Sequence, residues 1–102
     1  MNDRESQFKQ LVVEFPDSPM GHFSLGKLYL EQQRWAEAAG CFATAVKLDS
    51  TYAAAHVALG DAWAGAGEPE KARGAWEAAL RTPHGQKDQS LQADLEQRIA
   101  EL

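Results

Sequence analysis

A chain of 102 residues, 44% hydrophobic and 25% charged, has the length and composition of one folded domain with a modest core, and is not disordered. Its formal charge of −5 spreads as −2 over residues 1–18, 0 over 19–52, −1 over 53–86 and −2 over 87–102. No Lys/Arg run exists, which argues against nucleic-acid backbones and anionic membrane surfaces as partners.

Residues 3–14 form the first helical pattern, with Phe8, Leu11, Val12 and Phe15 on one apolar face and Asp3 and Glu5 near the positive end of the dipole. Phe15-Pro16-Asp17-Ser18-Pro19 is turn chemistry, and Ser18 before Pro19 is an N-cap signature. A second helix is expected over about 19–31, with Leu25, Leu28 and Tyr29 in one stripe. A third is expected over about 35–48, carrying Ala38, Phe42, Ala45 and Val46. Asp49-Ser50-Thr51 breaks it, and a fourth helix follows over about 52–65 with His56, Leu59, Gly60 and Trp63. Glycines at 65 and 67 and Pro69 mark a sharp turn into a fifth helix over about 69–81. Thr82-Pro83-His84-Gly85 is expected to break the chain, before a last helix over about 88–101. That helix has one narrow stripe of Leu91, Leu95, Ile99 and Leu102, as a cap on a stacked array requires.

Residues 19–52 align with 53–86 without a gap, a period of 34. His22/His56, Leu25/Leu59, Gly26/Gly60, Ala38/Ala72, Gly40/Gly74 and Ala45/Ala79 are identical between the copies. Phe8 falls 34 before Phe42 and Leu11 falls 34 before Ala45, so residues 1–18 read as the second half of an earlier unit. The chain 1–102 is therefore half a repeat (1–18), two whole repeats (19–52 and 53–86) and a capping helix (87–102). A mid-helix glycine costs about 1 kcal/mol against alanine, so its recurrence at 26 and 60 points to close helix approach. Tyr29/Trp63 and Phe42/Trp76 would fill the space beside it. Gly40/Gly74 repeat on an outward surface without an evident reason.

These residues resemble the tetratricopeptide repeat, whose signature is W-x2-L-G-x2-Y, then A-x3-F, A and P. His22, Leu25, Gly26, Tyr29, Ala38, Phe42 and Ala45 match in one unit, with His for Trp and Ser50 for Pro. His56, Leu59, Gly60, Trp63, Ala72, Trp76 and Ala79 match in the other, and Gly67 adds the usual turn glycine. The resemblance covers residues 4–86 and implies an all-α, right-handed superhelical solenoid. It also implies an adaptor or scaffold that binds a protein or peptide segment in a concave groove, without cofactor or catalysis.

The groove-facing residues are expected to be Met20, Phe23, Lys27, Leu30 and Glu31 in one unit and Ala54, Val57, Asp61 and Ala64 in the other. Family members that grip a C-terminal carboxylate use Lys and Asn. Here Phe23, Val57 and Ala58 stand where polar donors would, leaving Lys27 alone, so a short segment with apolar anchors is expected instead. The alternative is a self-associating structural subunit, a homodimer paired through Phe8, Val12 and Phe15 on the first helix.

Catalytic readings are weak. His22 and His56 lack a Cys or acidic partner at matching spacing, so they read as packing residues rather than a zinc pair. Cys41 is the only cysteine; it excludes an internal disulfide framework and, beside Phe42, reads as an inert thiol. Gly65-Ala66-Gly67 lacks the Gly-Lys-Ser/Thr ending of a phosphate loop. The polar start MNDRESQ has no signal-peptide pattern and no apolar stretch approaches the ~20 residues of a membrane span, so a reducing, cytoplasmic compartment is the expected home.

Overall fold

The computed structural model describes residues 3–102. Among them the chain forms α1 (Asp3–Glu14), α2 (Pro19–Glu31), α3 (Trp35–Leu48), α4 (Ala53–Gly65), α5 (Pro69–Arg81), α6 (Pro83–Lys87) and α7 (Gln89–Ala100), with no strand. Local chemistry sets these boundaries. Ser18 is extended, and its hydroxyl accepts from the Met20 amide at 3.3 Å while Pro19 opens α2.

The two interhelical turns are copies of each other. Arg34 N donates to Tyr29 O at 2.9 Å, and Glu68 N donates to Trp63 O at 2.9 Å, closing α2 and α4 in the same way. Both turns need one residue in the left-handed region. The second uses Gly67 (φ 78°), but the first uses Gln33 (φ 59°), the non-glycine at positive φ among the described residues.

The stretch expected only to break the chain after α5 also forms the one-turn helix α6. Thr82 and Pro83 stop α5 and start α6 with the same two residues. The Thr82 hydroxyl donates to Ala79 O at 2.7 Å and accepts from Gly85 N at 3.0 Å. A Cβ on Gly85 would strike the Ala79 carbonyl, so only glycine lets α6 lie this close to α5. Asp88 then caps α7, its carboxylate accepting from Leu91 N at 3.0 Å.

Successive helices pack as antiparallel neighbours, α2 on α3 and α4 on α5, with α4 also against α3 and α1 against α2. One core cluster joins Leu25, Tyr29, Ala38, Ala39, Phe42, Ala58 and Ala62, so it spans α2, α3 and α4. A second joins Ala72, Trp76, Ala79 and Leu95, and half-buried Trp63 packs against both. Phe42 is fully buried over Gly26, where a Cβ would come within 2.7 Å of the ring. Trp76 lies against Gly60 in the same way, and its indole N–H donates to Val57 O at 3.1 Å. The helices therefore approach where the glycines recur, and the aromatic rings fill the gaps.

The α1 helix is tied on by polar contacts as well as packing. Glu5 accepts from Arg34 at 3.0 Å and from the Tyr29 hydroxyl at 3.3 Å, and pairs with Lys9 at 3.0 Å. Lys9, and after it Arg34, hold its carboxyl below the usual range. At the other end the apolar stripe of α7 stops at Ile99, since Leu102 is exposed. The result is an α-solenoid of stacked helical pairs.

Candidate functional site

The helices α2, α4 and α7 carry the same register 34 residues apart. Phe23, Val57 and Leu91 occupy one phase of it, and Lys27, Asp61 and Leu95 another. A recess of about 320 Å³ opens where these helices meet. From α2 it is lined by Phe23 and Lys27, and from α4 by Ala53, Ala54, Val57, Ala58 and Asp61. His84, Asp88 and Leu91 close it from the α6–α7 side.

The recess is apolar along its floor and charged at its edges. Phe23 is wedged between two rings, its centroid 5.7 Å from Phe42 and 5.0 Å from Tyr52. Asp61 receives Arg98 of α7 at 2.7 Å. Burial pushes the Asp61 carboxyl up, and Arg98 only partly offsets this. Asp88 is engaged twice, by the Leu91 amide at 3.0 Å and by His84 at 3.2 Å. Lys27 is exposed and, among the described residues, makes no ion pair with a neighbour.

Of the residues expected to face the groove, Phe23, Lys27, Ala54, Val57 and Asp61 meet in this recess. The others lie elsewhere. Met20 is exposed at the start of α2, and Ala64 is exposed at the end of α4. Leu30 packs against the first core cluster, and Glu31 receives Arg4 at 2.8 Å. On α1, Phe8 and Val12 pack against that cluster, while Phe15 is 56% exposed. Leu11, Val13 and Met20, near Phe15 in the sequence, are exposed as well.

His84, Asp88 and Leu91 were not expected in the groove: His84 reads in the sequence as part of a helix break and Leu91 as part of the capping stripe. The signal was present: Leu91 falls 34 after Val57, and Asp88 falls 34 after Ala54. The repeated histidines have a structural task. His22 Nε2 donates to Pro16 O at 3.3 Å, and His56 Nε2 to Ser50 O at 2.9 Å, so each ring ties its helix to the loop before it. Cys41 is half-buried, and burial raises its thiol above the ordinary value. Among the described residues no three His, Cys, Asp or Glu side chains gather as a metal site would need. No helix there is long and apolar enough to cross a membrane.

No curated protein matches the sequence. The solution structure of protein BPP2914 from Bordetella parapertussis is similar, with a TM-score of 0.79 and 27% identity over 99% of this chain and 88% of that one. The tetratricopeptide-repeat profile matches residues 5–52 and again 23–88. With its helical pairs, its glycine–aromatic contacts and that match, the chain belongs to the tetratricopeptide-repeat family, whose repeats generally mediate protein–protein interaction.

Proposed function

We propose that the protein is an interaction module that holds a short partner segment in the recess between α2, α4 and α6–α7. The observation that carries this reading is the alignment of Phe23, Val57 and Leu91 along an open apolar floor with Lys27, exposed and without an ion pair among the described residues, at one edge. Floor and charge together suit a segment with an apolar side chain near a carboxylate. The apolar group gains by leaving water, and the carboxylate answers Lys27.

The test uses a peptide enriched from a random display library against the folded protein. Amide shifts on binding should concentrate at Phe23, Lys27 and Val57. Ala54→Arg fills the recess from an exposed position and should abolish binding while leaving helicity and melting unchanged. A peptide that binds Ala54→Arg as tightly as the original protein sinks the reading.

A second reading, self-association, is favoured by the exposed Leu11, Val13, Phe15 and Met20 near the α1–α2 turn. Phe15→Glu tests it better than a change at Phe8, which packs on the core. Light scattering should show a dimer that becomes monomeric in Phe15→Glu. A monomer in both, or a dimer in both, excludes this version.

A further inference from the structure

We infer that α6 and α7 are a wall of the binding recess rather than only an end cap, and that seating of α7 is coupled to occupation of the recess. This rests on the recess reading above and extends it to the residues that determine what the recess accepts.

Three observations carry it. The first is register. Leu91 continues the Phe23–Val57 line at the same 34-residue interval, so α7 presents a third copy of the lining position. A helix that served only to shield the array from water would need an apolar inner stripe, which Leu95 and Ile99 already supply against the second core cluster. Leu91 is half-buried and has both roles, packing against that cluster beside Ile99 and lining the open space of the recess.

The second is the latch. Arg98 donates to Asp61 at 2.7 Å, pairs with Asp94 on its own helix at 3.0 Å, and lies 5.8 Å from the centre of the Trp76 ring. Asp61 is itself a lining residue. One side chain of the recess thus holds α7 in place, and α7 in turn takes Asp61 partly out of water. Burial accordingly raises the Asp61 carboxyl, as expected of a group covered by another element.

The third is the hinge. The α6 turn joins α7 to α5 through Thr82 and Gly85, and Asp88 ends α6 and caps α7 while pairing with His84. Apart from α5 and α6, α7 has few neighbours, so its docking is supported mainly by Leu91, Leu95, Ile99 and the Arg98 latch. Elements held by few contacts open locally at lower free energy than the core. A segment lying on Leu91 adds contacts that exist only with α7 seated. It therefore favours the seated state, and by reciprocity the seated state favours the segment.

In this picture Leu91 and His84 set the size and character of the far end of the recess. Arg98 touches no partner and acts as a positioning residue through Asp61 and α7.

The experiment uses the full chain and the library-selected peptide, with hydrogen exchange and binding measured together. Peptide should slow exchange across the α7 amides by about fivefold or more, the lower range of typical coupling between sites. Arg98→Ala should speed that exchange and weaken the peptide by the same factor, with α2–α5 exchange unchanged; Arg98→Lys should recover part of both. Leu91→Ala removes both a wall contact and an α7 packing contact, so it should weaken the peptide by a larger factor than it speeds α7 exchange, whereas in Arg98→Ala the two factors match, separating wall from latch. If peptide shifts Phe23, Lys27 and Val57 but α7 exchange stays the same, and Arg98→Ala and Leu91→Ala bind it normally, the coupling is wrong and the recess reading survives. If the peptide maps elsewhere on the protein, the recess reading falls and this inference falls with it.

Discussion

Four glycines test the packing logic, because the same substitution should have opposite signs at different positions. Gly60 lies in α4 against the Trp76 indole, and a methyl group there would overlap the ring. Trp76 is 4% exposed and its N–H donates to Val57 O, so it has little room to retreat. Gly60→Ala gains about 1 kcal/mol of helix propensity. Against that stand about 1–3 kcal/mol of overpacking and about 1 kcal/mol for a strained indole hydrogen bond. The net is a loss of about 1–3 kcal/mol, or roughly 4–20 °C in melting temperature for a chain of this size. Gly26→Ala meets Phe42 at 2.7 Å and loses no hydrogen bond, so its cost is smaller. Gly40 and Gly74 face open space, with no heavy atom within 4 Å of an added Cβ. Gly40→Ala and Gly74→Ala should therefore each stabilise by about 0.5–1 kcal/mol. Urea and thermal melts by circular dichroism on the four single variants decide the matter. If Gly60→Ala and Gly74→Ala shift the midpoint in the same direction, the glycine–aromatic contact does not explain the repeated glycine.

The remaining predictions are smaller. Gln33→Gly relieves the left-handed residue of the first turn, about 1–2 kcal/mol of strain less about 0.5–1 kcal/mol of added chain entropy, so the melting midpoint should rise slightly. His56→Ala removes a 2.9 Å tie to Ser50 O and should cost about 1 kcal/mol in a urea melt, more than His22→Ala, whose tie is 3.3 Å. Burial raises the Cys41 thiol above 9.0, so the native chain holds that proton more tightly than the unfolded chain. The resulting stability is complete below the ordinary value and is lost as pH rises through the native one. Urea midpoints measured from neutral to alkaline pH should thus fall faster for the original chain than for Cys41→Ser; parallel curves would refute the assignment.

Much of the scaffold was legible because packing imposes a period. Leu25, Gly26, Ala38, Phe42 and Ala45 recur because one helical pair must meet the next in the same way, and all five are buried. Cap signatures were also legible, since Ser18, Gly67 and Pro69 act on neighbours within a few residues. Faces of α2 were harder to separate. Adjacent residues lie only about 100° apart on a helix, so Leu30, beside buried Tyr29, is drawn into the core though its spacing suited the groove. The share of α1 that α2 would cover could not be counted from spacing, and Phe8 and Val12 are covered where Phe15 is not. The α6 turn was hidden because Thr82-Pro83 both stops a helix and starts one.

The copies also differ in a way that orients whatever the recess receives. At the first lining position the residues run Phe23, Val57, Leu91, all apolar. At the second they run Lys27, Asp61, Leu95, and each has a different fate. Leu95 is fully buried, Asp61 is taken by Arg98, and Lys27 alone stays open to solvent without an ionic partner among the described residues. Among the described lining residues, the lysine without an ion pair therefore sits at the α2 end, while the α7 end offers Leu91 beside the His84–Asp88 pair. A segment with one carboxylate and one apolar anchor then has one favourable orientation, acid toward α2 and anchor toward α7. A nitroxide attached beside the carboxylate of the bound peptide should broaden the Lys27 amide and spare Leu91, and one beside the anchor should do the reverse. Equal broadening at both ends from either label would mean that Lys27 does not orient the ligand, and that the floor alone holds it.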